Sequence, residues 1–474
     1  MRLERDCIGE LPVPDDALYG IHSLRAVRNF PITEERVNPV MIESYLQIKK
    51  AAAMANVEAK TLDKQKGAFI VAAVNQLLFS KDYRSIIVPA IQGGAGTSTN
   101  MNVNEVVAHL ASRLSGRDGH QPLMIHPNDD VNQSQSTNDT YPTAGKMAML
   151  KLISPLETAL TELIDALDAK AAAYRDAIKV GRTQLQDAVP TTFGRSFRAY
   201  RSLFSRDLSR IKDVKRTLAE VNLGGTAIGT GINTTSTYQR RVVPILNQLS
   251  HLSLTTAGDL VDATQNSDAY VAFSGVLRAL AVDLSKFSND LRLLSSGPQA
   301  GLNELQLPKV QAGSSIMPGK VNPVIPEVVN QVAFEVIGHD TTVTLAAEAG
   351  QLELNAFEPI MFKSILTSET HLTKAIKTLV VNCINEMTAN VDGCRDEVER
   401  STISATVLSP YLGYEKTTSL IKEAAAKHLS VRRLVKSRHL LADELIDQLF
   451  SPASLTHQAP ADKMLGDLTA TAHH

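Results

Sequence analysis

The chain has 474 residues, 48 basic and 50 acidic side chains for a formal charge of −2, and 43% hydrophobic residues. That length has room for about three domains with large cores, and the balanced charge offers no basic field for nucleic acid. Met1 to Pro14 carries Arg2, Glu4, Arg5 and Asp6 without the apolar stretch of a signal peptide, and no run of apolar residues is long enough for a membrane helix.

The three cysteines, Cys7, Cys383 and Cys394, have neither metal-ligand nor disulfide-framework spacing, which fits a reduced cytoplasmic setting. Pro12, Pro14 and Asp15-Asp16 break the first segment, and a helix is predicted near Gln47 to Lys60. Gln92 to Asn100 is too glycine-rich for regular helix, and His126 to Asp139 reads as a second irregular stretch. Long helices then follow. Leu156, Leu160, Leu163, Ile164 and Leu167 share one face, as do Phe197, Tyr200, Phe204, Leu208, Ile211, Val214, Leu218 and Val221. Leu277, Leu280, Leu284, Phe287, Leu291 and Leu294 alternate three- and four-residue steps, a coiled-coil-like seam. Loops are expected at Gly224-Gly225, Gly297-Pro298 and Gly313 to Pro326, with Glu327 opening the next helix; Val328 to Leu354 is helix-compatible, and Val431 to Leu449 reads as amphipathic helix. The pattern predicts an all-α chain built on a bundle of long helices. Apolar residues on more than one helix face point to packing between subunits.

The glycine-rich stretches Gly93 to Ser98 and Gly225 to Gly231 lack the lysine of a P-loop and read as tight turns. No His-x-x-x-His or Cys-x-x-Cys pair occurs, and His126 near Asp129 and Asp130 reads as a hydrogen-bonded loop, so no metal is expected. The strongest local signal is Gly313-Ser314-Ser315-Ile316-Met317-Pro318-Gly319-Lys320-Val321-Asn322-Pro323. Two glycines and two prolines define its backbone, and it carries hydroxyls, an ammonium and an amide. Such a turn can wrap a small anion; a solvated hairpin has no need of Ile316 and Met317 beside two serines. Gly96 to Asn100, Ser134 to Asp139 and Gly181 to Asp187 carry similar donors. One alone reads as helix capping, with Ser136 to Asp139 standing before Pro142 as a helix N-terminus. Four together point to a pocket for a small, multiply charged acid. The residues by themselves do not name the reaction.

Together these segments resemble the aspartase/fumarase superfamily. Gly313 to Pro323 matches its signature loop, and Gln92 to Glu105, His126 to Pro142, Gly181 to Pro190 and Asn222 to Asn233 are similar to its other blocks. The resemblance runs from Val13-Pro14 to about Phe450. It implies a three-domain fold, with an N-terminal domain over 1–137, a central helical bundle over 138–390 and a small C-terminal helical domain over 391–474. It also implies homotetramers with composite active sites, and no cofactor. Residue by residue, Ser314 would be the base that takes a Cβ proton. Lys320 and Asn322, with Thr183, would hold the α-carboxylate, and Ser315 the β-carboxylate. Thr97, Ser136, Thr137 and Asn138 would hold the β-carboxylate and the α-amino group.

Within the superfamily these blocks look most like the aspartase branch, which implies elimination of ammonia from L-aspartate to give fumarate. Gln184 stands where fumarases place a histidine. Hydroxide is a poor leaving group that benefits from a positioned acid, whereas ammonia leaves without one. His126 to Asn132 looks like the fumarase version instead. Arg195, Ser196, Gln299, Ser409 and Lys416 depart from the aspartase pattern. A fumarase or another lyase of a succinate skeleton is the alternative reading, and a catalytically silent paralogue a third. The intact Ser314, Lys320, Asn322 and Thr183 argue against the third.

Overall fold

The computed structural model describes residues 1–117 and 123–456. Strands β1 (Arg2–Arg5) and β2 (Glu10–Val13) form an antiparallel pair with Arg2 opposite Val13. Helices α1 (Ile21–Asn29), α2 (Pro39–Glu58), α3 (Lys64–Ser80) and α4 (Thr97–Leu114) follow. A π-turn over Pro127–Val131 leads into the long α5 (Thr137–Ala173). The hairpin β3 (Ile178–Thr183) and β4 (Gln186–Thr192) precedes α6 (Phe193–Ala219). Then come β5 (Glu220–Val221), α7 (Ser236–Ser250), β6 (Thr255–Thr256), α8 (Asp262–Gln265) and α9 (Asp268–Leu294). After β7 (Leu305–Gln306), α10 (Val324–Glu348) and α11 (Glu358–Leu379), β8 (Thr388–Ala389) pairs with β7. Short helices α12 (Val391–Arg400), α13 (Ser409–Leu412), α14 (Tyr414–Ala426), α15 (Val431–Ser437), α16 (Asp443–Leu449) and α17 (Pro452–Thr456) close the described chain. The expected mostly helical, multi-helix fold is what the chain adopts. No helix among the described residues is long and apolar enough to cross a membrane.

By contacts the chain divides into two units. The first takes Met1–Ala159, Asp207–Val282 and Gln331–Lys374; the second takes Leu160–Arg206, Asp283–Asn330 and the chain from Ala375 on. In the first unit α2 packs on α3 and α7 and is buried on nearly every side. Local rules explain its bounds: Asn38 caps it by accepting from the Val40 N–H, and Pro39 starts it where a missing N–H costs nothing. Asp63 caps α3 the same way through the N–H groups of Gln65 and Lys66. In the second unit the short terminal helices share a core of Leu408, Leu420, Leu434, Val435, Ile446 and Leu449. The predicted seams are core: Leu156, Leu160, Leu163 and Leu167 on α5, and Leu277, Leu280, Leu284, Phe287 and Leu291 on α9, are buried.

The structure corrects several boundaries. Thr97 to Asn100, expected to be irregular, is the first turn of α4; the glycine turn ends at Gly96, whose φ of +88° terminates it. Likewise Thr137 to Asp139 opens α5. Gly181 to Asp187, read as a loop, is the end of the β3–β4 hairpin. Helix α10 starts at Val324 rather than Glu327, because Pro326 falls in its first turn where no N–H is needed, and it ends at Glu348. Val431 to Leu449 breaks into α15 and α16.

Candidate functional site

In the first unit the Thr97 and Ser136 segments meet at two helix starts. Gly96 lies against the ring of Tyr141, where an added Cβ would sit 2.2 Å from Tyr141 Cδ2, so only glycine allows this approach. One turn into α4, Asn100 Nδ2 donates to Thr137 Oγ1 at 3.1 Å and to Asn132 Oδ1 at 3.1 Å. Ser136 Oγ accepts from the Asn138 N–H at 3.2 Å, which leaves its proton free to donate. Thr97 is exposed, Ser136 and Asn138 are half-buried, and Thr137 is buried beneath them. The structure therefore brings Ser136, Thr137 and Asn138 together with Asn100 as a patch of hydroxyl and amide groups, and Thr97 opens the helix that carries Asn100.

Two charged groups beneath this patch escaped the sequence reading. Lys49 is fully buried and donates to the amide oxygens of Asn100 (2.6 Å), Gln135 (2.9 Å) and Asn132 (3.1 Å). Burial pulls its amine down to about 7, opposed by the field of Asp139. Asp139 is equally buried. One oxygen accepts the Ser136 N–H at 3.0 Å, and the other accepts those of Gly224 (3.0 Å) and Thr226 (3.1 Å). Burial lifts its carboxyl to about 6 against these hydrogen bonds and Lys49. A signal for Lys49 existed: Tyr45, Lys49, Ala52 and Asn56 share a helix face, so a lysine stands in a core stripe.

In the second unit the β3–β4 hairpin presents Thr183 and Gln184, both exposed, at its tip. Gln184 and Leu185 form the two-residue turn with φ of +51° and +63°. Neither is glycine or asparagine, so the tip is strained, and Leu185 is 69% exposed. Gln184 also lines a cavity of about 440 Å³ with Lys179, Arg182, Tyr200, Lys286 and Asp290. Buried Glu304 anchors the hairpin: Lys179 Nζ lies 2.8 Å from its Oε2, and Arg182 pairs with its Oε1.

The serine turn is closed at its base by the Gly313 N–H donating to the Lys320 carbonyl (2.9 Å) and by Asn322 Nδ2 donating to the Gly313 carbonyl (2.9 Å). Ser314 Oγ accepts from the N–H groups of Ile316 (3.2 Å) and Met317 (3.0 Å). Two N–H dipoles on one oxygen favour negative charge there. Ser315 and Lys320 are exposed, and Ile316 is 83% exposed. Among the described residues no cluster of side chains could hold a metal ion. His126 Nδ1 accepts from the Asp129 N–H and Asp130 pairs with Lys66, the hydrogen-bonded arrangement expected of that segment.

Comparison with known proteins fixes the class. A model of the lyase family matches residues 9–338, and a model of the fumarase C C-terminus matches residues 405–457. The chain is 47% identical over 457 residues to the aspartate ammonia-lyase of Helicobacter pylori (strain ATCC 700392 / 26695), covering 96% of this chain and 98% of that one. A solved structure of fumarate lyase:delta crystallin from Brucella melitensis bound to cobalt superposes with a TM-score of 0.93 at 46% identity, covering 96% of this chain and 99% of that one. The recombinant class II fumarase from Schistosoma mansoni superposes at 0.90 with 31% identity, covering 95% and 98%. The chain belongs to the lyase family, in the aspartase/fumarase superfamily that its sequence motifs resemble. It is an enzyme of small-molecule chemistry.

Proposed function

We infer that this lyase is an aspartate ammonia-lyase, which removes a proton from Cβ of L-aspartate and expels ammonia from Cα to give fumarate. The observation that carries the reading is the 47% identity to an aspartate ammonia-lyase along nearly the whole chain, against 31% to the class II fumarase. Ser314 takes the Cβ proton. A serine hydroxyl is a weak base, and the Ile316 and Met317 N–H groups on Ser314 Oγ support its alkoxide. Lys320, Asn322 and Thr183 hold the α-carboxylate, and Ser315 with Thr97, Ser136, Thr137 and Asn138 holds the β-carboxylate and amino group. Charge accumulates on the β-carboxylate as the proton leaves. Donors aimed there therefore lower the barrier more than they strengthen substrate binding. Gln184 donates and accepts hydrogen bonds but supplies no catalytic proton, which suits a leaving group that departs as neutral ammonia. The working form is a cytoplasmic homotetramer whose sites draw on several subunits.

The test offers L-aspartate and L-malate separately and follows the ultraviolet absorbance of fumarate. Fumarate from aspartate alone is expected; turnover of malate alone would make the enzyme a fumarase. Ser314→Ala should stay folded and assembled while kcat falls on the order of 10²- to 10⁴-fold, the usual worth of a positioned base. Wild-type turnover in that variant removes Ser314 from the role.

A further inference from the structure

Helix α6 opens with a run of one sign of charge. Between Phe193 and Arg206 it carries Arg195, Arg198, Arg201 and Arg206 and no acidic residue, and each of these arginines is exposed. The helix cannot roll to hide them. Phe197 and Phe204, both buried, fix its inner side, and Gly194 seats its start where an added Cβ would lie 2.6 Å from the Arg175 Cα. Steps of three, three and five residues keep the guanidinium groups on the outer face, over about 17 Å of helix. The other exposed side chains among them, Ala199 and Ser202, are small. Arg195, Arg198 and Arg206 meet no carboxylate among the described residues, and Arg206 donates to the Ser202 carbonyl of its own helix at 3.1 Å. Arg201 approaches Asp168 on α5 at 3.7 Å, an exposed pair of the kind that contributes little. The arrangement costs stability: like charges three residues apart repel, and the first turns of a helix favour acids over cations. Elsewhere exposed helices of this chain mix their charges, with Asp392 paired to Arg395 on α12 and Glu423 to Lys427 on α14. A row of one sign, held at a cost, suits an anion laid along it.

We propose that the outer face of α6 from Arg195 to Arg206 is a docking surface for an acidic segment of another protein, about five residues long where that segment is extended. Charge and shape select this partner among anions. Each guanidinium fork can hold a carboxylate through two N–H groups at once. The chain as a whole carries −2, so beyond a screening length of about 10 Å it does not attract a long polyanion. No exposed aromatic ring lies between the arginines to stack on a base, and no large exposed aliphatic side chain lies there to enter a bilayer. A short acidic segment needs neither, and it feels the local row at contact distance. The inference is independent of which reaction the enzyme catalyses.

The test uses the full-length protein and a fluorescein-labelled oligoglutamate peptide long enough to span the row. Binding is read by fluorescence anisotropy at low ionic strength and again as salt is added. The patch variant joins Arg195→Glu and Arg198→Glu. Acids at the start of a helix favour it, so this variant should match or exceed the wild-type thermal midpoint; Arg201→Glu alone carries the test if it does not fold. The control joins Lys64→Glu and Arg433→Glu, the same change in net charge at exposed sites outside α6. Wild type and control should bind the peptide and release it as salt rises, and the patch variant should bind at least about tenfold more weakly. No binding by the wild type, unchanged binding by the patch variant, or equal loss in the patch variant and the control overturns the proposal. So does tighter binding of a DNA duplex or of phosphatidylserine vesicles than of the peptide, if the same variant loses it, because the surface would then belong to a different partner.

Discussion

Lys49 is a charged residue whose burial costs the first unit stability. Three amide oxygens solvate its ammonium, but among the described residues no carboxylate touches it, so the charge is eased and not neutralised. Its amine falls from the ordinary 10.5 to about 7 in the folded chain. Below pH 7 folded and unfolded chains both hold the proton and the full burial penalty stands. Between about 7 and 10.5 the unfolded chain holds the proton that the folded chain has released, so stability rises with pH through that window. Asp139 does not interfere there. Raised to about 6, it stabilises the fold below its ordinary 3.8 and loses that contribution as pH passes 6. Tyr45 and Tyr238, the other titratable groups around the pair, are pushed upward by burial and stay neutral. Lys49→Met should therefore flatten the profile. Measured by urea unfolding at pH 7 and pH 9, wild type should gain on the variant by at most about 1.4 kcal/mol per pH unit. Parallel profiles would mean that Lys49 keeps its proton throughout.

At the scale of elements, the β3–β4 hairpin depends on one carboxylate from outside it. Glu304 is completely buried and pairs with Lys179 and Arg182 on β3, while its own carbonyl accepts the Asn390 N–H at 2.9 Å behind it. Removing one partner of a buried ionic group strands the others, at a cost of about 3–5 kcal/mol. Glu304→Gln should lower the thermal midpoint by several degrees and depress kcat/KM for aspartate, since Thr183 and Gln184 lie at the far end of the strand that it anchors. A wild-type midpoint in that variant would show that Lys179 and Arg182 find other partners. The same hairpin shows where sequence reasoning stopped. The leucine seams of α5 and α9 were legible because they repeat over many turns. In β3 only Ile178 and Val180 alternate before Gly181, too short a run to read as strand, and the turn Gln184-Leu185 adopts positive φ without the Asn-Gly that announces it. The Thr97, Ser136 and Ser314 segments were legible as chemistry because glycine, proline and hydroxyl residues cluster there. Their geometry was legible only in part: Ser136 to Asp139 reads as a helix N-terminus and is one, whereas Thr97, read as loop, is the first turn of α4. The Glu304 and Asp139 anchors left no local pattern, because their partners lie far away along the chain.

At the scale of the whole molecule the question is what covers the outer face of α10. Its inner face is regular, with Val329, Ala333, Val336, Asp340, Val343 and Ala346 buried at three- and four-residue steps. The opposite face carries Phe334, 62% exposed, and Leu345, 64% exposed, among Gln331, Glu335 and Thr341. A single chain leaves those two apolar side chains to water. Association of identical chains would cover them, and it fits the proposed division of labour. In the proposed mechanism Thr97, Ser136, Thr137 and Asn138, which belong to one unit, supply hydroxyls and amides, and Ser314 and Lys320, which belong to the other, supply the base and a cation. On the proposed homotetramer with composite sites, activity should depend on assembly. Serial dilution, with particle mass read by light scattering or mass photometry beside specific activity, should show turnover falling in step with the loss of tetramer. Phe334→Glu should shift that fall to higher protein concentration, because a charge then replaces the apolar contact. A monomer with full specific activity would mean that one chain holds a complete site, and the exposed face of α10 would then need another occupant.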